Sequence, residues 1–114
     1  MPATTFAAPI LPGKTEAWKA AAQELLGSRK REHEESRRRL GITREIASLQ
    51  STPAGDWVVV CLEADDPDGV IPRILASDDP FDRWFAETVL KGAHGIGVVQ
   101  EPPPPNQVFL DWKA

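Results

Sequence analysis

Two strand-like runs, from Ile42 to Gln50 and from Trp57 to Ala64, surround one polar turn in the middle of the chain. From Trp57 to Leu62 the second run holds only apolar side chains, so neither face of this strand carries a polar residue. Because side chains alternate across a strand, a strand with one face in water alternates apolar with polar residues. The run therefore predicts a strand covered on both faces, by helices of this chain on one face and, most simply, by a second copy on the other.

Three further segments have strand character. Thr4 to Ile10 is a short first strand that ends at a Pro-Gly turn, and Ile96 to Gln100 is a brief run after a glycine-rich loop. Between Gln107 and Trp112, the apolar residues Val108, Leu110 and Trp112 alternate with Phe109 and Asp111, and this alternation predicts a final strand. The prolines from Pro102 to Pro105 form a stiff connector before it, which cannot lie in the centre of a sheet because proline has no N–H to donate.

Helical patterns fill the rest of the chain. They extend from about Thr15 to Leu40, from Pro67 to about Ala76 and from Pro80 to about Lys91. Gly27 lies in the middle of the first pattern and is a point at which that helix can kink or divide. Asp79 directly precedes the last helix and is placed to cap its first turn.

The element order is strand, helix, strand, strand, helices, strand. This order is typical of the ferredoxin-like α+β fold, in which a four-stranded antiparallel sheet carries its helices on one face. The other face of such a sheet is bare in a monomer. We therefore expect a homodimer in which two sheets pack face to face, which would also cover the second face of the apolar strand.

Size and charge restrict the function. With 114 residues the chain is large enough for one core, so we expect residues 1–114 to form a single domain. A net charge of −4 argues against nucleic acid as a partner. No apolar run is long enough to span a membrane and the N-terminus does not resemble a signal peptide, so a cytoplasmic protein without a membrane partner is expected. The lone cysteine, Cys61, lies in a strand and fits a small apolar residue.

The long helix provides the strongest indication of a binding site. A stripe that begins at Trp18 is apolar in its first half and continues as Arg29, Glu32, His33 and Ser36, three or four residues apart. If the helix is continuous, these polar side chains face the sheet, where burial is costly unless they are paired or meet a ligand. This favours a pocket in which Arg29 binds an anionic group and His33 transfers a proton.

Structural interpretations stand beside these functional ones. If Gly27 breaks the helix, its phase is reset and the polar half of the stripe becomes a solvated surface of paired charges. His94 lies just past the last helix and is either a second base at the pocket mouth or a partner of the helix C-terminus. Trp84 either contacts an aromatic substrate or belongs to the core. The two histidines are far apart in sequence, and no metal site or cofactor is predicted.

Three segments also carry a family resemblance: Leu11 to Lys14 before the first helix, Gly41 with Ile42 before the second strand, and Ser77 to Arg83 at the start of the last helix. They resemble a bacterial family of unknown function in the dimeric α+β barrel superfamily. Other branches of that superfamily include antibiotic-biosynthesis-type monooxygenases, haem-degrading monooxygenases and stress-responsive barrel proteins. The resemblance covers roughly Thr4 to Val99 and implies a fold, a homodimer and a pocket between helices and sheet, without implying a particular chemistry.

Two functions remain open at this point. The first is a small-molecule-binding module with its pocket between the long helix, the last helix and the sheet. The alternative is a cofactor-independent monooxygenase or isomerase acting on a small aromatic or anionic substrate. The candidate site residues are His33 and His94 for catalysis, and Arg29, Glu32, Ser36 and Trp84 for substrate binding.

Overall fold

One antiparallel sheet of three strands forms the base of the protein, whose computed structural model describes residues 2–114. The strands are β1 (Ala3–Pro9), β2 (Ile42–Thr52) and β3 (Gly55–Ala64), in the order β1-β3-β2. The most apolar strand, β3, is therefore the central one, and β1 and β2 pair with its two edges. The α+β class with an antiparallel sheet is confirmed.

The helices lie on one face of this sheet. They are α1 (Thr15–Leu26), α2 (Lys30–Arg39), α3 (Val70–Ala76), which follows a short 3₁₀ turn at Pro67–Gly69, and α4 (Pro80–Phe85), which continues as a π-helix over Ala86–Lys91. The long helical pattern is thus divided after Leu26, where Gly27 provides the break. Asp79 caps α4 as predicted, since its Oδ2 accepts hydrogen bonds from the backbone N–H of Phe81 and of Asp82.

Strand register decides which side chains face the helices. Val60 of β3 lies opposite Phe6 of β1 and Ala47 of β2, and paired residues point to the same face. On β3 this face also carries Val58 and Leu62, which are buried beneath the helices. The core cluster lies between this face and the helices, and includes Leu40, Leu62, Ile74, Ala86 and Ile96.

The predicted four-stranded sheet is wrong, because the described residues form three strands. The prolines from Pro102 to Pro105 have no N–H to donate to a neighbouring strand, and one backbone hydrogen bond, from the N–H of Asn106 to the Thr5 carbonyl (2.7 Å), follows them. Beyond it, residues 107–114 are exposed and form no strand. Ile96 to Gln100 is a tight turn closed by one bridge, because three successive N–H groups in it donate to the Gly95 carbonyl.

Apolar side chains also lie on the second face of the sheet. There β3 carries Trp57, Val59 and Cys61, and Ile46 of β2 is the register partner of Cys61. These residues are only partly buried, and Ile46 is 41% exposed. β3 is therefore apolar on its second face, as its sequence pattern predicts, and this face is open in a single chain.

Candidate functional site

A cavity of about 400 Å³ lies between the sheet and the helices. The sheet contributes Phe6 and Val60 to its wall, and helices contribute Trp18, Leu25 and Phe85. This volume is in the lower part of the range for small-molecule pockets, and such pockets are mostly apolar with a few placed polar groups. The apolar first half of the predicted helical stripe does line this cavity.

The cavity opens to solvent at the C-terminal end of α1. Leu26 is the last residue of that helix, lines the cavity and is 79% exposed. Gly27 then ends the helix and turns the chain back into α2. The helix break therefore lies next to the exposed part of the cavity wall.

One cluster of three polar side chains lies in the cavity wall. Glu45 on β2 accepts two hydrogen bonds from Arg37 on α2, from Nε to Oε1 (3.0 Å) and from Nη2 to Oε2 (3.0 Å). His33, one turn earlier on α2, contacts the same carboxylate through Nε2 (2.9 Å to Oε1). The Arg37 guanidinium also packs on the Phe85 ring, with Cζ 4.6 Å from its centroid. Helix and strand are thus joined by one carboxylate with three donors.

Glu45 is ionised throughout the physiological pH range. Burial raises the pKa of its carboxyl, but the His33 hydrogen bond and the Arg37 charge outweigh that effect and hold the pKa at about 2. An ionised carboxylate can only accept hydrogen bonds, so Nε2 of His33 must carry the proton in this contact.

His94 lies in the same wall in a different environment. It follows the π-helix and is 3% exposed, and its Nδ1 is 2.8 Å from the Pro9 carbonyl oxygen. A carbonyl oxygen only accepts, so Nδ1 carries the proton and Nε2 is unprotonated. Burial lowers the pKa of the imidazole, and the hydrogen bond to Pro9 only partly offsets this, so the ring is neutral at physiological pH.

The free nitrogen of His94 reaches open space. Within residues 2–114, no fully buried side-chain nitrogen or oxygen lacks a hydrogen-bond partner. The ring makes its hydrogen bond through Nδ1, and His94 lines the cavity, so Nε2 faces the cavity. A hydrogen bond from the Gln100 side chain to the His94 carbonyl holds the backbone at this point. The result is a neutral, fixed imidazole with an available lone pair.

A second network of polar side chains contacts this cluster at Arg37. Ser36 Oγ is completely buried, accepts from Arg37 Nη1 (3.3 Å) and donates to Asp82 Oδ1 (2.7 Å). Ser77 donates to the other oxygen of Asp82 (2.7 Å), and Arg39 lies 3.4 Å from Oδ1. Burial raises the pKa of Asp82, but the hydrogen bonds from the two serines and the Arg39 charge lower it below its usual value. This network fixes α2 against α4 and orients Arg37.

The predicted site residues separate into two groups. His33 and His94 line the same cavity, whereas Arg29, Glu32, Ser36 and Trp84 lie outside its wall. Arg29 stacks on Trp84, with Cζ 4.2 Å from the ring centroid, and contacts Glu32 (3.4 Å) at the surface. Ser36 belongs to the supporting network.

Sequence reasoning missed Arg37 and Glu45. Arg37 is four residues after His33, so the two share one face of a helix whose phase begins after Gly27. That spacing was a usable signal once the helix was taken as divided. Glu45 has no local signal, because only the strand register places it opposite Leu62 on the helix-facing side.

Other site types receive no support. No group of three or more His, Cys, Asp or Glu side chains in residues 2–114 is arranged to hold a metal ion. Over the same residues, every helix is too short or too polar to cross a membrane.

The fold has a known counterpart. Tetracenomycin F2 cyclase from Streptomyces glaucescens, described as a type-II polyketide cyclase, matches with a TM-score of 0.59 and 19% sequence identity, covering 100% of this chain and 99% of that chain. No family profile matches the chain, and no curated protein is similar in sequence. At this identity the likeness establishes the fold alone. It gives no support to the narrower bacterial family of unknown function.

Proposed function

We propose that the protein binds an apolar, ring-containing small molecule in the cavity between sheet and helices. The observation that carries this proposal is a cavity of about 400 Å³ whose walls are apolar except at His33, Arg37, Glu45 and His94. Apolar walls supply binding free energy by removing ligand surface from water, and few polar groups then fix its orientation. The structural counterpart is a polyketide cyclase, which supports a ligand of this kind.

Filling the cavity should abolish binding. Ala22 of α1 lines the cavity, and Ala22→Trp adds a bulky ring inside it. We expect the affinity for the neutral fluorescent dye N-phenylnaphthylamine to fall at least about tenfold, measured by fluorescence titration. Ala20→Trp is the matched control, because Ala20 is exposed on the same helix and outside the cavity wall. Equal dye affinity in the two folded variants would contradict the proposed binding site.

A second candidate function, acid–base catalysis, is favoured by the free Nε2 of His94. A neutral imidazole with one lone pair in an apolar cavity can take a proton from carbon next to a carbonyl group. The electron pair of that C–H bond then forms an enolate, and the same nitrogen returns the proton to a different position or to the original carbon. This is the chemistry of an isomerase, and it requires no cofactor.

Replacing His94 by asparagine tests that function. Asparagine retains an N–H for the Pro9 carbonyl and has no basic nitrogen. In deuterated water the unmodified protein should accelerate exchange of the α-protons of β-tetralone, a neutral bicyclic ketone, as followed by NMR. We expect His94→Asn to reduce this acceleration about 100-fold or more. Unchanged exchange in a variant with native circular dichroism would remove His94 from catalysis.

We also propose that the protein functions as a homodimer through the second sheet face. That face is apolar at Val59 and Cys61, and residues 107–114 present four further large apolar side chains to solvent, of which Val108 is 58% exposed. Phe109 is 89% exposed, Leu110 87% and Trp112 78%. Exposed apolar side chains in such number are typical of an interface. A second copy accounts for both surfaces if segment 107–114 of each chain packs against the other chain.

The area available fits a stable dimer. A buried aromatic side chain removes about 150–250 Å² from water, so two aromatic residues in each of two segments bury about 600–1,000 Å². The receiving surfaces lose a similar area, which brings the total to about 1,200–2,000 Å², the size of a standard specific interface.

A further inference from the structure

The charges in the cavity wall are already compensated. Arg37 is the one arginine of the wall, and Glu45 the one carboxylate. Both oxygens of Glu45 are held by Arg37, whose Nη1 donates to Ser36 and whose face packs on Phe85. The Arg37 guanidinium therefore donates to the Glu45 carboxylate through Nε and Nη2 and to the Ser36 hydroxyl through Nη1. Its flat face is covered by the Phe85 ring.

Each of the two histidines uses one ring N–H in a hydrogen bond within the protein. His33 directs its Nε2–H at Glu45, so the proton of that nitrogen is committed to the carboxylate. His94 directs its Nδ1–H at the Pro9 carbonyl and turns a lone pair to the cavity. A lone pair attracts a hydrogen-bond donor and repels an anion. The cavity therefore offers an anion no uncommitted cation.

We infer that the cavity selects uncharged ligands, and that Glu45 determines this selectivity by neutralising Arg37. The inference rests on the proposed binding function. It specifies the ligand class as neutral ring compounds that carry a hydrogen-bond donor or another polar group that does not ionise. An anion that enters this apolar cavity loses its hydration and gains no compensating charge, so its binding free energy is strongly unfavourable.

Removing the carboxylate charge should reverse the preference. In Glu45→Gln the side-chain amide oxygen can still accept one hydrogen bond, while Arg37, whose side chain is 9% exposed, retains a full positive charge without a counterion. A buried and unpaired guanidinium binds an anion strongly, because the anion replaces the lost carboxylate. The same substitution that weakens the native cluster thus creates an anion site.

A matched pair of dyes tests this. N-phenylnaphthylamine is neutral, and anilinonaphthalenesulfonate has the same ring system with a sulfonate added. At pH 8 the unmodified protein should bind the neutral dye at least about tenfold more tightly. In Glu45→Gln the ratio of the two affinities should shift by at least about tenfold toward the sulfonate, and adding Arg37→Gln should cancel that shift. The control Glu34→Gln removes an exposed carboxylate outside the cavity and should leave the ratio unchanged.

The outcomes separate this inference from the binding function on which it rests. Failure of the neutral dye to bind the unmodified protein would reject the binding function and the inference together. Binding of the neutral dye with equal affinity for the sulfonate, or an unchanged ratio in Glu45→Gln, would overturn the inference and leave the binding function standing. A shift that persists in the double variant would also overturn it, because Arg37 would then not be the anion's partner.

Discussion

A chain that carries Phe109→Asp and Trp112→Asp should dimerise at least about 1,000-fold more weakly than the unmodified protein. Each substitution removes a large apolar side chain from the proposed interface, where a buried aromatic residue contributes about 2 kcal/mol. Two-fold symmetry repeats every loss, so four side chains are affected in each dimer. The sum comfortably exceeds the 4 kcal/mol that corresponds to about 1,000-fold.

Sedimentation equilibrium measures this change directly. The control carries Gln107→Asp and Lys113→Asp, which add two carboxylates to the same segment without removing an apolar residue, and it should remain dimeric at micromolar concentration. Because the altered residues are 78–89% exposed in one chain, the folded monomer should keep its circular dichroism spectrum. An unmodified protein that sediments as a monomer would reject the dimer, and a dimeric aspartate variant would reject the role of this segment.

The strand pattern was predictable because it is local. Every side chain from Trp57 to Leu62 is apolar, which is typical of a strand that neighbouring layers cover on both faces, and β3 is the central strand of the sheet. The Asp79 cap was predictable for the same reason, since a capping side chain reaches only two or three residues ahead. The alternation of residues 107–112 is also typical of a strand, but a strand needs a partner edge, and a single backbone hydrogen bond, from Asn106 to Thr5, joins this segment to β1.

The site itself depended on facts that the sequence does not contain. A glycine inside a helical pattern permits a break without requiring one, and with the break at Gly27 it is Arg37, rather than Arg29, that faces the cavity beside His33. From its sequence position alone Glu45 would be assigned to the exposed face of a strand, whereas the strand register places it on the face beside the helices. Such long-range placement is fixed by packing, which propensity and spacing describe only weakly.

The buried state of Glu45 leads to the second large effect, a loss of stability in acid. Its pKa is about 2 in the folded protein and 4.5 when unperturbed, so the unfolded chain binds the proton more tightly. A group with a lowered folded pKa contributes stability that is complete above its unfolded pKa and is lost as the pH falls toward its folded pKa. The contribution is therefore present at pH 7, declines below about pH 5, and amounts to about 3 kcal/mol in total.

Urea unfolding at several pH values isolates this contribution. Between pH 7 and pH 3 the Glu45 share of the lost unfolding free energy should be about 2 kcal/mol. Asp82 and His94 also have lowered pKa values, and they add losses of the same sign as the pH falls. Those losses are common to the unmodified protein and to Glu45→Gln, so the difference between their two pH profiles reports Glu45 alone.

The variant should accordingly start less stable at pH 7 and lose about 2 kcal/mol less on acidification to pH 3. Glu34→Gln, which alters an exposed glutamate, should follow the profile of the unmodified protein. Parallel profiles for Glu45→Gln and the unmodified protein would mean that the carboxylate titrates as an exposed one. In that case the bidentate contact with Arg37 would not hold in solution, and neither would the charge compensation that makes the cavity selective for uncharged ligands.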